Sequence, residues 1–330
     1  MDKRHLFSRA LLFVAMVLLL GVAQARANVF SDFNEKEQQL YQNAIHFMDN
    51  GMVDTGIDLL KGLDKAHPSN RAVVYEIVYG YIVKQDYEEA YQWAKKLLKL
   101  KDADADSYFI AGNAFDYVGK RKEAIEIYEK GLKKFPNSVR LWVEKGNMAY
   151  MMKNYDESVG CYEHAIDVDP NYDASYYRLA NLYAMSTDPV WAVMYAQNYQ
   201  LHASKYERLM EMGKLIYDLY RENVTRKDGK WEVTFTKKVN LSAYASLDCD
   251  LPYNGFFYYT HKVVLDEGGF AGDTLTLADV ARLHRKYVEI ADTTAHDYYN
   301  VPVLDMERAA LHEGHLDGYI MWMLRGADVG

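Results

Sequence analysis

Prolines, glycines and small residues return in this chain at intervals of 34 residues. Pro136 and Pro170 are one such step apart, and Pro68 lies two steps before Pro136, with Asp102 on the beat between. Gly112 and Gly146 keep the same spacing, as do Asn113, Asn147 and Asn181, and Ala90, Ala124, Ser158 and Ala192. A fixed period of this size marks an array of supersecondary units, none of which buries its apolar face alone. Each unit reads as a pair of antiparallel helices. Small residues (Gly112, Gly146 and Ala180 on first helices; Ala90, Ala124 and Ala192 on second helices) allow close approach, and Tyr108, Trp142 and Tyr162 fill the space beside them. The prolines after Phe135 and Asp169 stop the second helix, because proline cannot continue its hydrogen bonding.

Counting from the prolines gives five gapless registers: 37–70, 71–104, 105–138, 139–172 and 173–206. In the fourth, Trp142, Gly146, Ser158, Tyr162, Ala165 and Pro170 follow the pattern of the tetratricopeptide repeat family, and in the third Tyr108, Gly112, Phe115, Gly119, Ala124, Tyr128, Gly131 and Pro136 do so. The fifth carries Tyr176, Leu179, Ala180, Tyr183 and Ala192 but no closing proline. The first keeps the register through Gly51 and Pro68, and the second through Tyr81, Tyr87 and Ala90. Residues 37–206 thus resemble that family. The resemblance implies a mostly α fold, a right-handed α-solenoid of stacked helix pairs whose first helices line a groove. The family's groove positions fall on Tyr41, on Tyr75 and Tyr79, on Phe109, Asn113 and Tyr117, on Asn147 and Tyr150, and on Tyr177 and Asn181. In related repeats the Asn of this ladder holds a bound peptide; it is also simply common at that position. The family's clamp for acidic tails needs basic residues where this chain has Tyr41, Tyr75 and Phe109, so capture of such tails is not implied. An apolar, adaptable groove for a helix or extended segment is.

The N-terminus reads as an export signal. Lys3, Arg4 and Arg9 precede an apolar core from Ala10 to Ala23, and Ala25-Arg26-Ala27 supplies the small residues that signal cleavage needs. That apolar run is shorter than the roughly 20 residues of a membrane span. Residues 1–27 are therefore expected to be a signal peptide, with 28–36 leading into the repeats and no membrane span in the mature protein. A periplasmic location in a bacterium follows, or secretion otherwise. A formal net charge of −9 gives nucleic-acid binding no electrostatic support. Export would permit one disulfide between Cys161 and Cys249, although a helical Cys161 also suits a buried thiol.

After the repeats, residues 207–223 continue at helical spacing and suit a capping helix. Lys227-Asp228-Gly229-Lys230 signals a turn, and beyond it the period stops. Residues 224–330 are expected to form a small α/β (α+β) domain. Trp231, Val233 and Phe235 alternate as in a half-buried strand, and Phe256 to Leu265 reads as a second β-favouring run. Thr276-Leu277-Ala278-Asp279 opens a helix, and a final helix is expected to start after Asp305 and run to about Arg325. On that helix Ala310, Gly314 and Gly318 suggest a small-residue face closely approached by another element.

His296, His312 and His315 form the one loose metal-ligand set, with His284 on the preceding helix. The zinc-protease pattern needs two His four apart around a Glu, whereas His312 and His315 are three apart. A partly buried structural histidine at 312 is the reading preferred. Phosphate loops and nucleophile elbows are missing. The expectation is an exported, non-enzymatic interaction scaffold without a cofactor, binding a protein or peptide segment in the groove. A metal-dependent hydrolase served by substrate-recruiting repeats is the alternative, and a structural component of an envelope assembly comes third.

Overall fold

The computed structural model describes residues 33–237, 252–294 and 301–327. The expected signal peptide (1–27), Cys249 and His296 lie outside these described residues. The chain divides into two units, one ending at Met148 and the other beginning at Ala149.

The first unit is a succession of helix pairs: α1 (Glu35–Asp49) with α2 (Val53–Ala66), α3 (Arg71–Val83) with α4 (Tyr87–Leu97), and α5 (Ala105–Tyr117) with α6 (Arg121–Lys134). The helix α7 (Val139–Met151) begins in this unit. Side-chain caps start several of these helices: Asn34 accepts from the Glu37 amide, Asn70 from Val73 and Asp104 from Ser107, which satisfies a backbone donor that has no partner within the helix. The tight turns inside the pairs use left-handed backbone at positions 34 residues apart, Gly51 (φ 81°), Gln85 (φ 64°) and Gly119 (φ 78°). Close packing needs the small residues read from the period. A Cβ on Gly112 would stand 2.1 Å from the Tyr128 ring, and one on Gly131 2.8 Å from Leu141 and Tyr108. Leu60, Ile77, Ala90, Leu97, Ala124, Tyr128 and Leu141 are fully buried between the helices, the larger ones each worth about 1.5–3 kcal/mol of transfer energy.

The second unit continues with α8 (Tyr155–Val168), α9 (Asp173–Ala184) and α10 (Val190–His202). α11 (Tyr206–Asn223) occupies the place expected of a capping helix. It buries Met212, Ile216, Leu219 and Tyr220, and the backbone of Arg325 lies so close to Gly213 that a Cβ there would meet its carbonyl. A two-stranded antiparallel hairpin follows, β1 (Val224–Lys227) and β2 (Lys230–Val233), pairing Val224 with Val233 through Lys227 with Lys230. Its turn places Asp228 and Gly229 at φ 50° and 74°, the geometry that twists two strands together over a two-residue loop. Four helices complete the unit: α12 (Tyr253–Glu267), α13 (Leu277–Thr294), α14 (Pro302–His312) and α15 (Leu316–Met323).

Three sequence expectations change here. Residues 256–265 are part of α12, not a strand. Their buried members, Phe256, Phe257, Thr260, His261, Val264 and Leu265, recur at helical spacing. The final helix is two helices, because Gly314 turns to φ 76° after His312. The proposed small-residue face is not closely approached either: nothing stands within 4 Å of a Cβ on Gly314 or Gly318. Among the described residues, no helix is long and apolar enough to cross a membrane.

Candidate functional site

The residues at the expected groove positions lie on α1, α3, α5, α7 and α9, seven of them within the first unit. Tyr41 on α1 hydrogen-bonds Glu76 on α3, and burial with this carboxylate beside it pushes the phenol pKa up. Burial and the nearby Asp49 raise Glu76 to about 7, against the opposing hydrogen bond from Tyr41. Tyr75 hydrogen-bonds Arg140, and burial raises its pKa as well. Arg140 reaches from α7 to α5, where its Nη1 donates to Asp106 at 2.7 Å and its guanidinium covers the Phe109 ring at 3.7 Å. Tyr41, Tyr75 and Phe109 are thus partly buried members of a charged network.

Tyr79 and Tyr117 differ. They are 43% and 49% exposed, so the core does not consume them. Tyr117 packs its ring 4.8 Å from that of Tyr87, with Asp116 and Glu144 nearby. The amides of the Asn ladder are partly engaged by the fold. Asn113 Oδ1 accepts from the Tyr128 hydroxyl at 2.6 Å, and Asn147 Nδ2 donates to Glu144 Oε2 at 3.0 Å. Asp116 also falls on a groove position of the third repeat, but Asp49, Glu76, Asp106 and Glu144, which lie beside the aromatic positions, were not singled out by the sequence reading. Aromatic periodicity drew attention, whereas scattered acids carry no period.

In the second unit the same register supplies Tyr150, Tyr177 and Asn181. Tyr150 is 39% exposed and its ring lies 5.8 Å from that of Tyr155. The Tyr177 hydroxyl donates to Glu211 at 3.0 Å, Arg208 lies 4.6 Å over its ring, and Asn181 Nδ2 donates to the Tyr177 carbonyl at 2.8 Å.

The histidines separate into two environments. His312 is a surface residue whose Nε2 lies 3.0 Å from Asp292 Oδ1, with 64% of its side chain exposed, so the expected partial burial is corrected. The helix ends at this residue. His315 is exposed and stands at the N-cap of α15. Among the described residues no group of three or more His, Cys, Asp or Glu is placed to hold a metal ion. His284, by contrast, is fully buried in a hydrogen-bonded chain that sequence reasoning missed. His261 Nδ1 donates to the Phe257 carbonyl at 2.7 Å, which leaves Nε2 to accept from the Tyr220 hydroxyl at 3.0 Å. The Tyr220 oxygen in turn accepts from His284 Nδ1 at 2.9 Å. His284 Nε2 and Glu307 Oε1 are 2.7 Å apart, and Gln197 donates to the same oxygen at 2.7 Å. Burial drops the His261 pKa to about 3. Tyr220, His261, His284 and Glu307 are each at most 1% exposed, and through Gln197 the chain ties α10 to α14 inside the core.

Comparison with known proteins bears on the repeat region. Tetratricopeptide repeat models match residues 105–137, 139–172 and 161–204. A search of the curated proteins finds no match. Among solved structures the chain is similar to MamA from Desulfovibrio magneticus RS-1, at 15% identity over 51% of this chain and 96% of that one, with a TM-score of 0.44. TTC0263, a tetratricopeptide repeat protein of Thermus thermophilus, aligns at 14% identity over 55% of this chain and 98% of its own, TM-score 0.47. PilW, a type IV pilus biogenesis factor, aligns at 16% identity over 56% of this chain and 86% of its own, TM-score 0.49.

Proposed function

Residues 105–204 being tetratricopeptide repeats, we propose that the chain is an interaction scaffold that binds a segment of a partner protein along its first-helix face. The observation that carries this is the half-exposure of Tyr79 and Tyr117 at register positions where the family meets its ligands. A folded core has no use for a large ring left in water, whereas a partner gains from a stiff amphipathic surface. The protein acts outside the cytoplasm and performs no chemistry of its own. The basic, apolar and small-residue succession of residues 1–27 supports export, and the repeat architecture supports a binding role.

Photo-reactive phenylalanine at position 79 or 117, with position 126 on the exposed surface of α6 as control, tests the binding face in the native host. The expected result is one partner cross-linked from 79 and 117 and not from 126. Equal labelling from all three positions would contradict the proposal. Mass spectrometry of the mature N-terminus tests export, with Asn28 as the expected first residue; a chain beginning at its initiator end would contradict it.

A further inference from the structure

We propose that the segment bound on the first-helix face of the first unit is cationic, presenting Lys or Arg side chains between apolar ones. This rests on the reading that the face binds a protein segment.

The charges that meet there are uneven. Asp49, Glu76, Asp106, Asp116 and Glu144 all lie beside its aromatic positions. Arg140, the base at the centre, is consumed by the fold through Asp106, the Tyr75 hydroxyl and the Phe109 ring. Arg121 is paired with Asp116 at 3.1 Å, and Arg71 with Asp104 at 2.6 Å. An anionic segment would have to break those pairs before it found a cation. A cationic one finds Glu76 half-buried beside a second carboxylate, an arrangement that penalises the charged form of Glu76 and that an arriving ammonium or guanidinium relieves. Tyr75 lies beside it and Tyr79 one turn along the same helix, while Tyr117 on α5 stands by Asp116 and Glu144; ring faces of this kind attract cations and pack the aliphatic stems that carry them. Asp106 and Asp116 are held by Arg140 and Arg121, so the charge left to a partner is that of Asp49 and Glu76, which beside the apolar rings selects by sign as well as by shape.

Glu76 also supplies a signature. With its pKa at about 7, it is partly protonated at neutral pH. A cation bound beside it lowers that pKa, so binding releases a proton, up to about half an equivalent per complex at pH 7.

The test uses the whole mature chain and two labelled probes, a short amphipathic leucine–lysine peptide and its leucine–glutamate counterpart. Calorimetry at pH 7 in buffers of different ionisation enthalpy reads affinity and proton release together. The expected result is binding of the lysine peptide at least about tenfold tighter than the glutamate peptide, weakened by salt, with proton release that disappears in Glu76→Gln. Equal affinity for both peptides, lost for both in Tyr79→Ala/Tyr117→Ala, would overturn the charge preference and leave the binding face standing. Lysine-peptide binding unaffected by Glu76→Gln and by the double variant would show nonspecific attraction and overturn the proposal. Binding of neither peptide would overturn it as well.

Discussion

At the scale of single residues, the turn that links the two helices of a pair sets a backbone requirement. Positions 51, 85, 119 and 153 all have positive φ, but only 51 and 119 are glycine; Gln85 and Lys153 adopt φ 64° and 62°. A side chain in that region costs about 1–2 kcal/mol, less than that once the greater unfolded freedom of glycine is counted. Lys153→Gly and Gln85→Gly are each expected to stabilise the protein by about 0.5–1 kcal/mol, and Gly119→Ala to destabilise it by about 1 kcal/mol, as read by urea unfolding. No change in midpoint for any of the three would contradict the turn assignment. His261 gives a pH prediction. Burial lowers its folded-state pKa from 6.5 to about 3, so the unfolded chain binds its proton first. Its contribution is constant above pH 6.5, and stability falls from there toward pH 3 by up to about 1.4 kcal/mol per pH unit from this group. His261→Gln should unfold with a visibly shallower loss between those limits, whereas a parallel pH profile would place the titration elsewhere.

At the scale of elements, what was legible depended on whether a pattern had a period. The helix pairs were readable because close approach demands small residues at fixed intervals. Gly112→Ala tests that reading: the added methyl meets the Tyr128 ring at 2.1 Å, and overpacking of this kind costs about 1–3 kcal/mol, measurable as a lowered thermal midpoint. An unchanged midpoint would mean that the pair has slack at its tightest crossing. The region beyond residue 224 has no repeat to average over, and single elements were misread. Phe256 to Leu265 is rich in aromatic and β-branched residues, which favours a strand on composition. The tertiary arrangement prevails because Phe257, His261, Val264 and Leu265 lie on one helical face that the core covers. The broken final helix was signalled by Gly314, read as a packing residue when it is a turn residue. The Tyr220–His261–His284–Glu307 chain was not legible at all, since its members come from four helices with no common spacing.

At the scale of the whole molecule, the formal net charge is −9, and Asp49, Glu76 and Asp106 gather with Arg140 near Tyr41 and Tyr75 on the first-helix face of the first unit. The groove positions taken from the repeat register divide by burial into two roles. Tyr41, Tyr75 and Phe109 are held in the network around Glu76 and Arg140, and replacing them would disturb the fold's own contacts. Tyr79 and Tyr117 stand half in solvent and can be changed without leaving a cavity. The register could name all five but could not separate them, because exposure depends on which neighbours supply charge. The most direct test of the binding face is therefore the affinity of the segment captured by cross-linking for the native chain and for Tyr79→Ala/Tyr117→Ala. Circular dichroism of both proteins sets the control. The expected result is a dissociation constant raised by at least about tenfold, the worth of roughly 1.4 kcal/mol, at identical helical content. The same dissociation constant for both proteins would contradict a partner seated on this face.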